Sequence, residues 1–355
     1  MENKGLIFIP DISGFTRFVN EMEIDHSRHI IQELLEVVIN ANQIGLEISE
    51  IEGDAILFYK YGKAPELKEI YSQVEKMFCA FHKHLLAYDH RRLCQCKACA
   101  GAIELSLKVV THYGEFTGYN VKNFSKLIGK DIIVAHQLLK NDIDKHEYWL
   151  VTTGLAGEQV PDGLPAKLNW NKSLKQTETG DISFQYAQLT HLKEELPPDP
   201  DPDLEIKNKT KLLSLSREYN TDILSLLHGV ADFSTRKLWQ VGIKGIDEIS
   251  HETIPRLGTS HRCILEKGHR IVYSSSYLFT PDKVEYSETD EKKQTATYFT
   301  FEKIAENRIK LTLDQYIMKN PVRQIFFNLV MKKKMINRFS ESLENLEKLI
   351  KNYVA

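Results

Sequence analysis

The run ELPPDPDPDLE, from Glu195 to Glu205, constrains this chain more than any other stretch. Its prolines at 197, 198, 200 and 202 each remove an amide donor and fix φ, so neither a helix interior nor a central strand can pass through it. The chain of 355 residues is thereby divided into residues 1–194, a linker over 195–209, and residues 210–355. Each flanking stretch is long enough to enclose its own apolar core.

The formal net charge of −3 gives no electrostatic footprint for a nucleic-acid partner. No run reaches the ~18 apolar residues of a membrane span, and the opening MENKGLIFIPDISGF has no cleavable leader pattern. The five cysteines, an odd number without a leader, argue against a disulfide framework. A cytoplasmic location is the expectation.

In the first stretch, GLIFIPDI suits a buried strand, and HSRHIIQELLEVVINAN places Ile31, Leu34, Leu35 and Val38 on one helix face. LEISEI and DAILFYKY, separated by Glu52 and Gly53, read as a hairpin. A helix is expected from about Ala64 to Tyr88, then a strand IELSLKVVTHYGEF, a short helix IVAHQLLKN, and strands EYWLVTT and ISFQYAQL. This order fits an α+β sheet layered with helices. In the second stretch a strand near Leu212–Leu215 precedes helices TDILSLLHGV and FSTRKLW. Six strand-like runs follow, from GIDEISHE to RIKLTLDQYIM, and a long helix from about Val322 to Tyr353 closes the chain, with Phe339, Leu343, Leu346, Ile350 and Tyr353 on one face. An antiparallel sheet around such a helix is expected to enclose a cavity.

Two segments carry chemistry. In FIPDISGFTRF, Asp11 ends a strand and Gly14 sits in the turn before a helix; in EIEGDAILF, Asp54 sits at a hairpin tip. Paired beside each other, these strands bring the two carboxylates to one sheet edge, where a hard cation takes carboxylate and phosphate oxygens. Backbone amides of the turn can meet phosphate. Taken singly, Asp11 reads as a helix N-cap and Asp54 as a turn residue.

Phe-x-x-Asp-Ile-Ser-Gly-Phe-Thr, followed by Gly-Asp-Ala and by His112-Tyr113-Gly114, resembles the catalytic domain of class III adenylyl and guanylyl cyclases over roughly residues 4 to 190. The resemblance implies a ferredoxin-like palm, a homodimer and two-metal chemistry with Mg2+ or Mn2+ on a purine nucleoside triphosphate. It places Asp11, Ile12 (through its carbonyl) and Asp54 as metal ligands, and Gly14, Phe15 and Thr16 as the phosphate turn. Glu50 and Lys126 fall at the purine-reading positions, Glu50 as in guanylyl cyclases. The family's transition-state Asn and Arg, presented by the dimer partner, are replaced by Ile133 and Gln137, which supply neither a ribose contact nor a charge. No residue is therefore assigned a catalytic role. Binding with weak or absent turnover is the leading expectation, with an active guanylyl or adenylyl cyclase as the alternative.

Cys94-x-Cys96-x-x-Cys99 has ligands suited to Zn2+, with Cys79, His84, His90 or His112 as the fourth, or stands as three reduced thiols in a loop. Residues 210–355 resemble the START/polyketide-cyclase (SRPBCC) helix-grip superfamily in element order and in segments such as RKLWQVGIKGIDEI, LGTSHRCIL and YSETDEKK. That resemblance implies a cavity for a hydrophobic small molecule, with His251, His261, Arg262, Tyr273 and Glu288 as polar residues that can point inward. A carrier or sensor with a scaffold first domain is thus a third reading. The basic run Lys332-Lys333-Lys334 with Arg338 is either a solvated helix face or a contact for acidic lipid.

Overall fold

A computed structural model of the chain describes residues 3–22, 24–157, 159, 163–177, 180–200, 202–233, 235–248 and 256–354. The chain forms two compact units, residues 1–89 with 97–199, and residues 90–96 with 200–355. The fold is mixed α+β in both.

The first unit is built on a seven-stranded sheet. Its strands are β1 (Lys4–Ser13), β2 (Glu47–Glu52), β3 (Ala55–Tyr61), β4 (Ser106–Glu115), β7 (Tyr148–Thr152), β8 (Trp170–Thr177) and β9 (Gly180–Gln188), in the order β2-β3-β1-β4-β7-β9-β8. Only the β4–β7 pairing is parallel. β1 is buried from Gly5 to Ile12 with no alternation, which is why it reads as one continuous apolar run. A separate hairpin, β5 (Thr117–Val121) with β6 (Phe124–Ile128), follows β4.

The helices of this unit are α1 (Phe15–Glu21), α2 (Ile24–Asn40), α3 (Leu67–Arg91), α4 (Lys97–Gly101), α5 (Lys130–Leu139), α6 (Thr153–Ala156) and α7 (Thr190–Glu194). α3 buries Ile70, Val74, Met77, Phe78, Phe81 and Leu85, one stripe at helical spacing. It begins three residues later than the expected Ala64, because Ala64 precedes Pro65 and a pre-proline residue is kept out of the helical region. The hairpin turn is Gly53–Asp54 rather than Glu52–Gly53, with Gly53 at φ 63° supplying the left-handed residue of a two-residue turn.

The second unit has a fully antiparallel sheet: β10 (Lys209–Tyr219), β11 (Ile243–Glu248), β12 (Ser260–Leu265), β13 (His269–Thr280), β14 (Lys283–Asp290), β15 (Thr295–Ala305) and β16 (Arg308–Met318). The order is β10-β16-β15-β14-β13-β12-β11, so the first strand pairs with the last. Between β10 and β11 lie α8 (Ile223–Ala231), N-capped by Asp222, and α9 (Arg236–Trp239). The closing helix comprises α10 (Pro321–Phe326), a π-helical turn Phe327–Met331, and α11 (Lys332–Val354).

Phe339, Leu343, Leu346 and Ile350 of α11 join Val284, Tyr286, Phe299, Leu311 and Leu313 of the sheet in one buried cluster. Tyr219 Oη donates to the Leu343 carbonyl at 2.9 Å, and a Cβ at Gly229 would meet the end of the Ile350 side chain, which would have to shift to admit it. The side chain of Tyr353 and the whole of His251 lie outside the described residues, as does the end of the expected strand GIDEISHE. No helix among the described residues is long and apolar enough to cross a membrane.

Candidate functional site

Asp11 lies in β1, opposite Ala55 of β3 on one side and Lys108 of β4 on the other. It is not an N-cap: Gly14, at φ 89°, occupies that position before α1. Asp54 is a hairpin-turn residue, and its carbonyl accepts the amide of Ile12 at 3.0 Å. Both aspartates line one cavity of about 700 Å³ together with Ile12, Gly14, Phe15 and Thr16. Burial raises the pKa of Asp54 to about 6, and the neighbouring Asp11 charge adds to the rise. Asp11 is also raised by burial, with Lys108 pulling it back. Two carboxylates on one cavity, with the charge of Asp11 felt at Asp54, make a donor set that fits a hard divalent cation.

The cavity also holds positive charge that the sequence analysis did not single out. Lys108 Nζ lies 3.5 Å from Asp11 Oδ2 and donates to the Leu139 carbonyl at 3.3 Å. Arg17 and Lys140 line the same space, and Arg17 is paired with Glu104. The signal for Lys108 was its register: a lysine on β4 four residues before His112, facing the same way as the aspartate it pairs with. Ile133 and Gln137, on α5, line this cavity within one chain.

Glu50 and Lys126 are brought together, but to each other: Lys126 Nζ donates to the Glu50 carboxylate, joining β2 to β6. Neither lines the cavity. The His-x-Gly segment has a structural explanation. His112 Nδ1 is 2.8 Å from Thr152 Oγ1 and Nε2 is 2.9 Å from Asp131 Oδ1, so both ring nitrogens are engaged. Asp131 Oδ2 accepts the Glu115 amide at 2.6 Å. A Cβ at residue 114 would fall on the Asp131 carboxyl, so Gly114 is what lets this aspartate approach β4.

Cys79 is on α3, half-buried, and burial raises its thiol pKa. Cys99, on α4 of the first unit, is buried with its sulfur 3.4 Å from His26 Nδ1 and 3.6 Å from Tyr88 Oη. Cys94 and Cys96 fall in the 90–96 stretch counted with the second unit, where the Cys96 amide meets the Cys94 sulfur at 3.5 Å. His84 pairs with Glu33 at 3.2 Å.

The second unit buries a polar chain. Arg236 makes a two-pronged contact with Glu288, at 2.8 and 2.5 Å, and Tyr286 donates to Glu288 at 2.7 Å. Burial opposes ionisation of Glu288, but the guanidinium outweighs it and holds the carboxyl at about 2. His261 is fully buried against the Phe233 ring, and burial lowers its pKa to about 4. Among the described residues its two ring nitrogens have no hydrogen-bond partner. Arg262 and Tyr273 are half-buried.

Residues 31–148 match a family described as a protein of unknown function (DUF2652); the match includes Asp54 and Lys108 and begins after Asp11. A protein of Mycobacterium tuberculosis, described as uncharacterized protein Rv2561/Rv2562, is 29% identical over 175 residues, 47% of this chain and 76% of that protein. Three of the similar solved structures are cyclases, each matching about half of the chain. A bacterial light-regulated adenylyl cyclase is 16% identical, covering 54% of this chain and 95% of its own, with a TM-score of 0.39. The guanylate cyclase domain of RhGC from Catenaria anguillulae, solved with GTP, is 14% identical, covering 53% and 97%, with a TM-score of 0.39. The adenylyl cyclase CyaB from P. aeruginosa is 15% identical, covering 52% and 94%, with a TM-score of 0.34.

Proposed function

We propose that the first unit binds a purine nucleoside triphosphate with Mg2+ or Mn2+, as a class III cyclase-like domain in a cytoplasmic homodimer, and turns it over slowly or not at all. The observation that carries this reading is the convergence of Asp11 and Asp54 on one cavity, locked by the Ile12–Asp54 main-chain bond. Asp11, Asp54 and the Ile12 carbonyl would hold the cation, which when bound supplies charge neutralisation to the triphosphate. Gly14, Phe15 and Thr16 would meet phosphate through main-chain amides, with Lys108 and Lys140 as counter-charges. Ile133 in this cavity offers no hydrogen bond to ribose, and Gln137 no charge. Glu50 can accept from guanine only when Lys126 turns aside, so the preference for guanosine over adenosine triphosphate should be modest. Titration calorimetry with non-hydrolysable analogues of both, with and without Mn2+, tests this reading. Absence of metal-dependent binding would overturn it.

The presence of Lys108, Arg17 and Lys140 in the cavity favours an active cyclase as the second reading, since these cations can stand in for the missing arginine. For the second unit we infer a helix-grip domain holding a hydrophobic ligand with one polar group, which His261 would meet. The cysteine run is proposed to take Zn2+ with Cys99 and His26 as the anchoring pair, tested by metal analysis of the purified protein and of Cys99→Ser.

A further inference from the structure

The closing helix of the second unit starts with an apolar face that is exposed among the described residues. Val322, Ile325, Phe326, Leu329 and Val330 recur at the spacing of one helical face. All five are exposed, Val322 at 76% and Leu329 at 80%. Single exposed apolar residues are ordinary, but five contiguous ones on one face are not. The segment is a preformed helix rather than a loose tail. Asn320 caps it by accepting the Arg323 amide, Pro321 opens it, and Phe327 on the opposite face is buried in the core cluster.

Charge says what the face meets. From Gln315 to Ser340 there is no aspartate or glutamate, whereas Lys319, Arg323, Lys332, Lys333, Lys334 and Arg338 all fall there, in a chain whose net charge is −3. Lys319, Arg323 and the three consecutive lysines are exposed. Apolar side chains flanked by lysines are the pattern of a helix lying in the plane of an anionic bilayer surface, its apolar face in the acyl boundary and its cations at the headgroups. The segment is far too short to span. A second copy of the chain is a poorer occupant, because this face has no aspartate or glutamate between Gln315 and Ser340 to meet another copy's cations.

We propose that this end of the closing helix docks the protein on an anionic phospholipid surface. The test is co-sedimentation of the full chain with vesicles of phosphatidylcholine alone and of phosphatidylcholine mixed with phosphatidylglycerol, at low and high salt. Binding is expected to the anionic vesicles, weakened by salt. Replacing Lys332, Lys333 and Lys334 together by Gln should weaken it by on the order of 100-fold. Phe326→Ser with Leu329→Ser should also weaken it while changing the thermal unfolding midpoint little, since both side chains are mostly exposed. No binding to anionic vesicles, or equal binding by the wild type and both variants, would overturn the proposal. So would a serine variant that loses self-association in sedimentation velocity but keeps its vesicle binding, because the face would then belong to a second copy.

Discussion

The Ile12 amide donates to the Asp54 carbonyl at 3.0 Å. This bond ties the strand end that carries Asp11 to the turn that carries Asp54, and makes two residues distant in sequence a single carboxylate site. The main-chain bond holds the pair together although the Asp11 charge opposes ionisation of Asp54.

Metal binding should follow the protonation of this pair. Asp54 titrates at about 6 in the folded chain against an ordinary 3.8. Ionising it in the metal-free protein therefore costs stability. The cost is absent below about pH 4 and grows as pH rises through 6. A cation must displace that proton, so Mn2+ affinity should climb between pH 5 and 7 and level off above. Asp54→Asn should abolish most of the affinity and flatten the profile, as measured by calorimetry at stepped pH.

Turnover should be slow in the unaltered protein. Placing Asn at Ile133 and Arg at Gln137 together should raise cyclic-nucleotide formation, since a missing charge at phosphoryl transfer costs on the order of 10³-fold or more. Brisk turnover before any substitution, lost in Lys108→Ala, would instead assign the charge to Lys108, and an unchanged rate in the double variant would count against the role given to Ile133 and Gln137.

Gly114→Ala should destabilise the first unit by about 2–4 kcal/mol, because the new methyl displaces Asp131 and with it the bonds to His112 and the Glu115 amide. Asp131→Asn, which keeps the space, should cost less. Urea unfolding curves of the two variants separate the effects.

The second unit should lose stability in mild acid. His261 stays neutral until about pH 4 in the fold, whereas the unfolded chain takes its proton near 6.5. Stability is thus full above 6.5 and falls as pH drops toward 4, by up to about 3 kcal/mol. His261→Phe should remove that slope, read from chemical unfolding at pH 7 and pH 4.5.

Much of this was legible in the sequence. β14 and β16 coincide with the expected runs KVEYSETD and RIKLTLDQYIM; in β16 burial alternates residue by residue, which leaves a period of two in the chain. The places of Asp11 in a strand and of Asp54 in a hairpin turn were legible because a strand end and a glycine-bearing turn are local features. β5 was missed because it is exposed along its whole length and has no alternation to read. Its turn uses Lys122 at φ 53°, not a glycine. β8 was missed for a related reason, as a mostly exposed edge strand. Lys108 beside Asp11, Asp131 beneath His112, and Lys126 on Glu50 were decided only by tertiary structure. Each depends on which strand or helix pairs with which, and at what register. A shift of one residue would turn each side chain to the other face of the sheet, so the local sequence that determines the strand cannot by itself determine the partner.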